Sequence, residues 1–146
     1  MNRDFVEILS ALIEARAEFL VVGAHALAAY GTPRATGDLD IWINPTRDNA
    51  ERVLKALAAF GAPLFDLAVA DLTASETVFQ IGVPPARIDI LAGITGVAFT
   101  DAWPRRLNIQ IDGLAVPVIG REDFIVNKRA TGRPKDISDL TLLPPE

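Results

Sequence analysis

The run Thr36-Gly37-Asp38-Leu39-Asp40-Ile41-Trp42-Ile43 sets two aspartates one residue apart in an otherwise apolar stretch. An extended strand reconciles the two. Alternation puts Asp38 and Asp40 on one face, roughly 6.5 Å apart along the chain, and turns Leu39, Ile41 and Ile43 into a core. Two carboxylates so placed repel each other unless a cation lies between them. Twelve aspartates in 146 residues supply about one Asp-x-Asp by chance, and a solvated strand end would look the same, so the surrounding chain has to decide.

The available donors are restricted. There is no Cys and a single His, His25. Disulfides and thiolate sites are therefore excluded, and a metal site must be built from oxygen ligands, which suits Mg²⁺ or Mn²⁺ better than zinc. A length of 146 residues, half of them hydrophobic, suits one well-buried domain and is short for two, so a single domain over 1–146 is expected. The net charge of -5 disfavours broad attachment to nucleic acid or anionic membrane and leaves only local basic patches for nucleic-acid contact. Met1-Asn2-Arg3-Asp4 lacks the layout of a signal peptide, and no apolar run reaches the roughly 18 residues of a membrane span. A soluble, cytoplasmic protein without a membrane partner is the expectation.

Phe5, Ile8, Leu9, Leu12 and Ile13 recur at helical spacing and predict an amphipathic first helix. Phe19 to Val22 is a strand-length apolar run, ended by Gly23 and followed by the Ala-rich stretch Ala24 to Tyr30, so strand, tight turn and helix follow one another. Gly23 allows a sharp turn and a close approach to a ligand, and the helix start offers free N–H groups to an anion. A plain turn glycine would look identical. Gly31-Thr32-Pro33-Arg34 breaks this helix before the aspartate strand. Thr46 is placed to cap a helix burying Ala50, Val53, Leu54, Leu57 and Ala58, which Gly61 and Pro63 end.

Residues 64 to 75 read as loop with at most a helical turn. Thr77 to Val83 and Arg87 to Leu91 are β-rich and joined by Pro84-Pro85-Ala86, a hairpin pattern. On the second arm Arg87, Asp89 and Leu91 share a face opposite Ile88 and Ile90. A carboxylate in such an apolar strand is costly unless paired or metal-bound, which makes Asp89 the third candidate ligand. Leu107 to Ile111 alternates cleanly, Asp112-Gly113 signals a hairpin, and Pro117 in the return arm suggests a sheet edge. The tail from Arg121 to Leu143 reads as two helices broken at Gly132-Arg133-Pro134.

A strand ending in Gly23-Ala24, a helix, Gly31-x-x-Arg34-x-Thr36, Asp38-x-Asp40 on the next strand and Asp89 on a later one resemble, in that order, the DNA polymerase β-like nucleotidyltransferase superfamily. In that superfamily a Gly-Gly or Gly-Ser turn leads a helix, and a third carboxylate joins the Asp-x-Asp pair from a neighbouring strand. Gly31 to Thr36, Pro84 to Leu91 and the tail Asn127 to Asp136 are similar, more narrowly, to small bacterial nucleotidyltransferase-like proteins. Those are related to minimal nucleotidyltransferases and to the toxins of abortive-infection systems. Gly23-Ala24 departs from the usual Gly-Ser, so the hydroxyl expected on a nucleotide phosphate is missing.

The resemblance implies an α+β, polymerase β palm-like fold with a mixed central sheet flanked by helices and a C-terminal helical segment, about 121–143, packed on it. It implies Asp38, Asp40 and Asp89 as catalytic carboxylates holding two Mg²⁺ or Mn²⁺ ions. Gly23, Ala24, Arg34, Thr36, Lys128 and Arg133 are the implied nucleotide-binding residues. The implied reaction moves a nucleoside monophosphate from an NTP to a hydroxyl of RNA, tRNA among the candidates, of protein or of a small molecule. The other implied role is that of a binding partner in a toxin–antitoxin or phage-defence pair. Plainer roles suit several of these residues: a surface ion pair for Arg34, helix-end salt bridges for Lys128, Arg129, Arg133 and Lys135, and a packed or capping ring for His25. Trp42 suits a core aromatic or a base-stacking one.

Overall fold

The computed structural model describes residues 1–31 and 37–145. Helix α1 (Arg3–Glu14) buries the predicted stripe Phe5, Ile8, Leu9 and Leu12, and the Asn2 side chain caps it by accepting from the Asp4 N–H. Strand β1 (Phe19–Val22) is buried along its whole length and runs directly into α2 (Gly23–Ala29). Strand β2 (Leu39–Ile43) carries the aspartate pattern. Helix α3 (Arg47–Phe60) starts where Thr46 accepts from the Asn49 N–H and stops at Gly61 in the left-handed region, the two signals its sequence offers. The turn α4 (Val69–Leu72) is the only helix among the described residues of the segment 64 to 75.

Strands β3 (Val78–Ile81) and β4 (Ile88–Leu91) pair antiparallel as the expected hairpin. Helix α5 (Phe99–Ala102) continues into a 3₁₀ turn at Trp103–Arg105. Strands β5 (Leu107–Ile111) and β6 (Leu114–Val118) form the second hairpin, and α6 (Arg121–Thr131) and α7 (Pro134–Leu142) are the paired tail helices. No helix among the described residues is long and apolar enough to cross a membrane.

The six strands form one mixed sheet in the order β3-β4-β2-β1-β6-β5. β2 lies between antiparallel β1 and parallel β4, and both of its faces are covered. Leu39, Ile41 and Ile43 are buried on one side and Trp42 on the other, so the α+β, mixed-sheet expectation holds. One hydrophobic cluster joins α1, α3 and the central strands to Phe99 and Phe124. The far end of the β1–β2 pair is fastened by the buried Asn49. Its side chain accepts from the Glu18 N–H at 2.7 Å and donates to the carbonyls of Glu18 and Asn44, both at 2.9 Å.

Pro117 does not mark an edge. β6 is interior, between β5 and β1, and β5 is the outer strand. The ring is tolerated because Ile119 donates to the Val21 carbonyl, so alternation directs the Pro117 nitrogen to the same side, where the β1 ladder consists of the single pair Val21↔Val118. The missing donor falls beside that short ladder and away from β5.

Candidate active site

Parallel pairing of β2 and β4 sets Asp40 directly beside Asp89. The flanking pairs Leu39↔Ile88 and Ile41↔Ile90 face the core, which fixes the register, because a one-residue slip would turn the carboxylates of one strand into the apolar layer and its isoleucines out of it. Asp89 is only 7 % exposed. Burial above all, then the Asp89 charge and a hydrogen bond between the two carboxyl groups, push the Asp40 carboxyl up to about 6; the charges of Lys128 and Lys135 pull the other way. The ionised form of Asp40 is thus disfavoured in its place beside Asp89.

The turn before α2 is built against this pair. Gly23 has φ +71°, and a Cβ there would come within 2.4 Å of an Asp40 carboxylate oxygen. Glycine therefore does two things at once: it takes the left-handed backbone and lets the carboxylate close on the turn. His25 follows, its Nε2 3.3 Å from the Gly37 carbonyl and its ring edge-on to Phe5. Burial lowers its pKa. It ties the start of α2 to the residue before Asp38, the packed role its position suggests.

Asp38 lies just ahead of β2 and is turned to Arg87. One of its oxygens accepts from the Arg87 backbone N–H at 3.0 Å, and the other meets the guanidinium at 3.2 Å. The same guanidinium forks onto Asp89, with Nε to Oδ1 at 2.7 Å and Nη2 to Oδ2 at 3.1 Å. These bonds, with the charges of Asp89, Asp38 and Asp40, raise the Arg87 pKa further. Among the described residues no three His, Asp or Glu side chains converge as a metal cage: Asp38 faces Arg87, while Asp40 and Asp89 face each other.

The donor chemistry nevertheless fits a hard divalent ion. All three groups are carboxylates, and Asp40, whose charged form is disfavoured by burial and by Asp89, would gain from a nearby cation.

Lys128 and Arg133 sit in a second cluster. The largely buried Lys128 ammonium is 3.3 Å from both Asp136 and Asp139, and Arg133 forks onto Asp136 at 2.7 and 3.1 Å. Asp136 is fully buried, and the Arg133 bond holds its carboxyl well below the usual range. Arg34 and Thr36 lie outside the described residues. Trp42 is a core aromatic, edge-on to Phe99, which stacks on Trp103.

A family model described as "Nucleotidyl transferase of unknown function (DUF2204)" matches residues 1–144. The chain belongs to this nucleotidyl transferase family. Among solved structures it is similar to a "putative nucleotidyltransferase" from Thermotoga maritima, with a TM-score of 0.59 and 14 % identity, over 97 % of this chain and 88 % of that one. At that identity the likeness shows the shared fold alone. No curated protein matches the chain.

Within this nucleotidyl transferase, Arg87 is the residue that motif reading passes over. The signal is present, since Arg87 and Asp89 are two apart on one face of a strand. What spacing cannot give is the parallel register that brings Arg87 across to Asp38.

Proposed function

We propose that the chain is a metal-dependent nucleotidyltransferase that moves a nucleoside monophosphate from an NTP to a hydroxyl of RNA, protein or a small molecule. The observation that carries this reading is the Asp40–Asp89 pair, set side by side on parallel strands with the Gly23 turn closed against Asp40. Asp38, Asp40 and Asp89 would hold the divalent ions, Mg²⁺ or Mn²⁺. Ions bound there would neutralise charge on the transferred phosphoryl group and lower the pKa of the acceptor hydroxyl.

The protein's own groups have separate tasks. Asp89 orients the hydroxyl and takes up its proton. Gly23 and Ala24 let the backbone approach the phosphates, with Arg34 and Thr36 following in sequence. Lys128 and Arg133 add positive charge on the α6–α7 side, and the field of Lys128 is already felt at Asp40.

A second reading is favoured by Ala24, which lacks the phosphate-binding hydroxyl. In it the chain is mainly a partner-binding member of a toxin–antitoxin or phage-defence pair, with weak catalysis or none. Purified protein incubated with Mg²⁺, each labelled NTP and total RNA or a co-expressed partner separates the two. Label transfer with pyrophosphate release that Asp40→Asn abolishes, with the variant still folded, supports the enzyme. Absence of labelled product and of pyrophosphate from every mixture would leave the binding role.

A further inference from the structure

We infer that Arg87 is a built-in counter-ion which a divalent cation must displace, so that one arginine sets how readily the carboxylate cluster takes metal. The inference rests on the reading of Asp38, Asp40 and Asp89 as cation ligands. Its starting point is the distribution of bonds: both oxygens of Asp89 and both oxygens of Asp38 are turned to Arg87, three of the four contacts coming from the guanidinium and one from the backbone N–H. Of the three carboxylates, Asp38 and Asp89 are in direct contact with Arg87, and Asp40 lies beside Asp89. Lys128 and Lys135 act on Asp40 through their fields.

A guanidinium does not give up its proton at any ordinary pH, so it can only stay or move. Carboxylate oxygens have lone pairs enough for both partners, but a doubly charged ion on Asp38 or Asp89 would stand beside a fixed positive charge. That repulsion, together with the loss of a forked, charge-assisted bond, opposes metal binding. Arg87 is free to yield. Its side chain is about a quarter exposed, at 27 %, and it stands at the head of β4, next to the turn that joins β3 to β4.

Displacement also has a destination. A planar fork released beside the cluster suits a phosphate oxygen, the group that accompanies metal as a metal–nucleotide complex. Arg87 is therefore a positioning residue that couples the two arrivals. Metal moves it off the carboxylates, and the nucleotide then gives its charge a partner.

The test uses the full chain and Mn²⁺ without nucleotide, followed by electron paramagnetic resonance. Arg87→Gln should bind Mn²⁺ about tenfold more tightly than the unmodified protein, and Arg87→Lys should stay close to it. The thermal midpoint of Arg87→Gln should also rise more than that of the unmodified protein at the same Mn²⁺ concentration. A lost structural bond would weaken binding, so only the displaced counter-ion predicts a gain.

A measurement on the unmodified protein makes the inference independent of how the variants fold. The Arg87 Nε–H signal in a ¹⁵N spectrum should shift as Mg²⁺ saturates the site. Equal or weaker Mn²⁺ binding by Arg87→Gln, or an Arg87 signal unmoved at Mg²⁺ saturation, overturns the counter-ion role and leaves the ligand reading intact. If neither the unmodified protein nor Arg87→Gln binds Mn²⁺, the ligand reading falls and the counter-ion role with it.

Discussion

Between α6 and α7, Asp136 and Asp139 meet Lys128 and Arg133; across β2 and β4, Asp38 and Asp89 meet Arg87, with Asp40 beside Asp89. Both clusters are made of the same kinds of side chain. In the first, among the described residues, two carboxylates face two cations, Asp136 is completely buried, and its carboxyl stays ionised far below the usual range. In the second, among the described residues, Asp38 and Asp89 share one guanidinium, Asp40 has none, and its carboxyl is pushed up to about 6. The lesson is that charge balance, more than burial, separates a finished ion-pair network from a cluster left with excess negative charge. The balanced cluster locks the tail helices together. The unbalanced one is where added positive charge would be welcome.

The largest expected effect comes from unbalancing the closed cluster. Asp136→Asn leaves Lys128 and Arg133 short of their shared partner and should cost roughly 3 kcal/mol, because breaking a buried pair strands its partners. Thermal unfolding at pH 7 would show this as a midpoint lower by about 10 °C. A drop of only a degree or two would class the network with ordinary surface pairs and dissolve the contrast.

Gly23→Ala should come next. Its Cβ would meet the Asp40 carboxylate at 2.4 Å, and its φ of +71° is one that alanine adopts only under strain. A loss of about 1–2 kcal/mol is expected, together with weaker Mn²⁺ binding as Asp40 is pushed from Asp89. Unaltered Mn²⁺ affinity in this variant would detach the turn from the cluster.

The smallest effect is in pH, and the two clusters should pull in opposite directions. The folded-state pKa of Asp40 is raised, so its contribution to stability is full below the ordinary carboxyl value and is lost as pH climbs through about 6. The pKa of Asp136 is depressed, so its contribution is present above the ordinary value and is lost as pH falls below it. Without added metal the thermal midpoint should therefore be highest near the ordinary carboxyl value, about pH 4. Asp40→Asn should flatten the decline between about pH 4 and 6 by about 1 kcal/mol, a few degrees in midpoint. An Asp40→Asn profile that declines like the unmodified protein's would show that Asp40 is not the group holding the proton.

Much of this was legible in the chain because it depends on period and punctuation. Leu39, Ile41 and Ile43 had to be inward if Asp38 and Asp40 were outward, Gly23 had to be a turn, and Thr46 and Gly61 bracket α3 as caps do. The Asp89 arm was readable for the same reason, since a lone carboxylate among isoleucines needs a partner. What spacing could not give was partner choice. Nothing local says that Asp38 turns to Arg87, or that Lys128 turns to Asp136 and Asp139, because those contacts depend on which strands and helices become neighbours. Pro117 misleads in the same way: it reports a missing donor, while the sheet order decides whether any neighbour asks for one.

The register that joins the clusterʼs two strands has a consequence for how the molecule comes together. Arg87 and Asp38 meet from 49 positions apart, and β2 with β4 is a parallel pair, so the intervening chain, α3 and β3 included, must be looped out before they touch. Such long-range closure is entropically costly and slow. Asp89 therefore comes up against Asp38 and Asp40 only once most of the domain is formed. A cation that recognises their assembled arrangement would bind the finished fold and ignore its precursors, adding its binding energy to the native state alone.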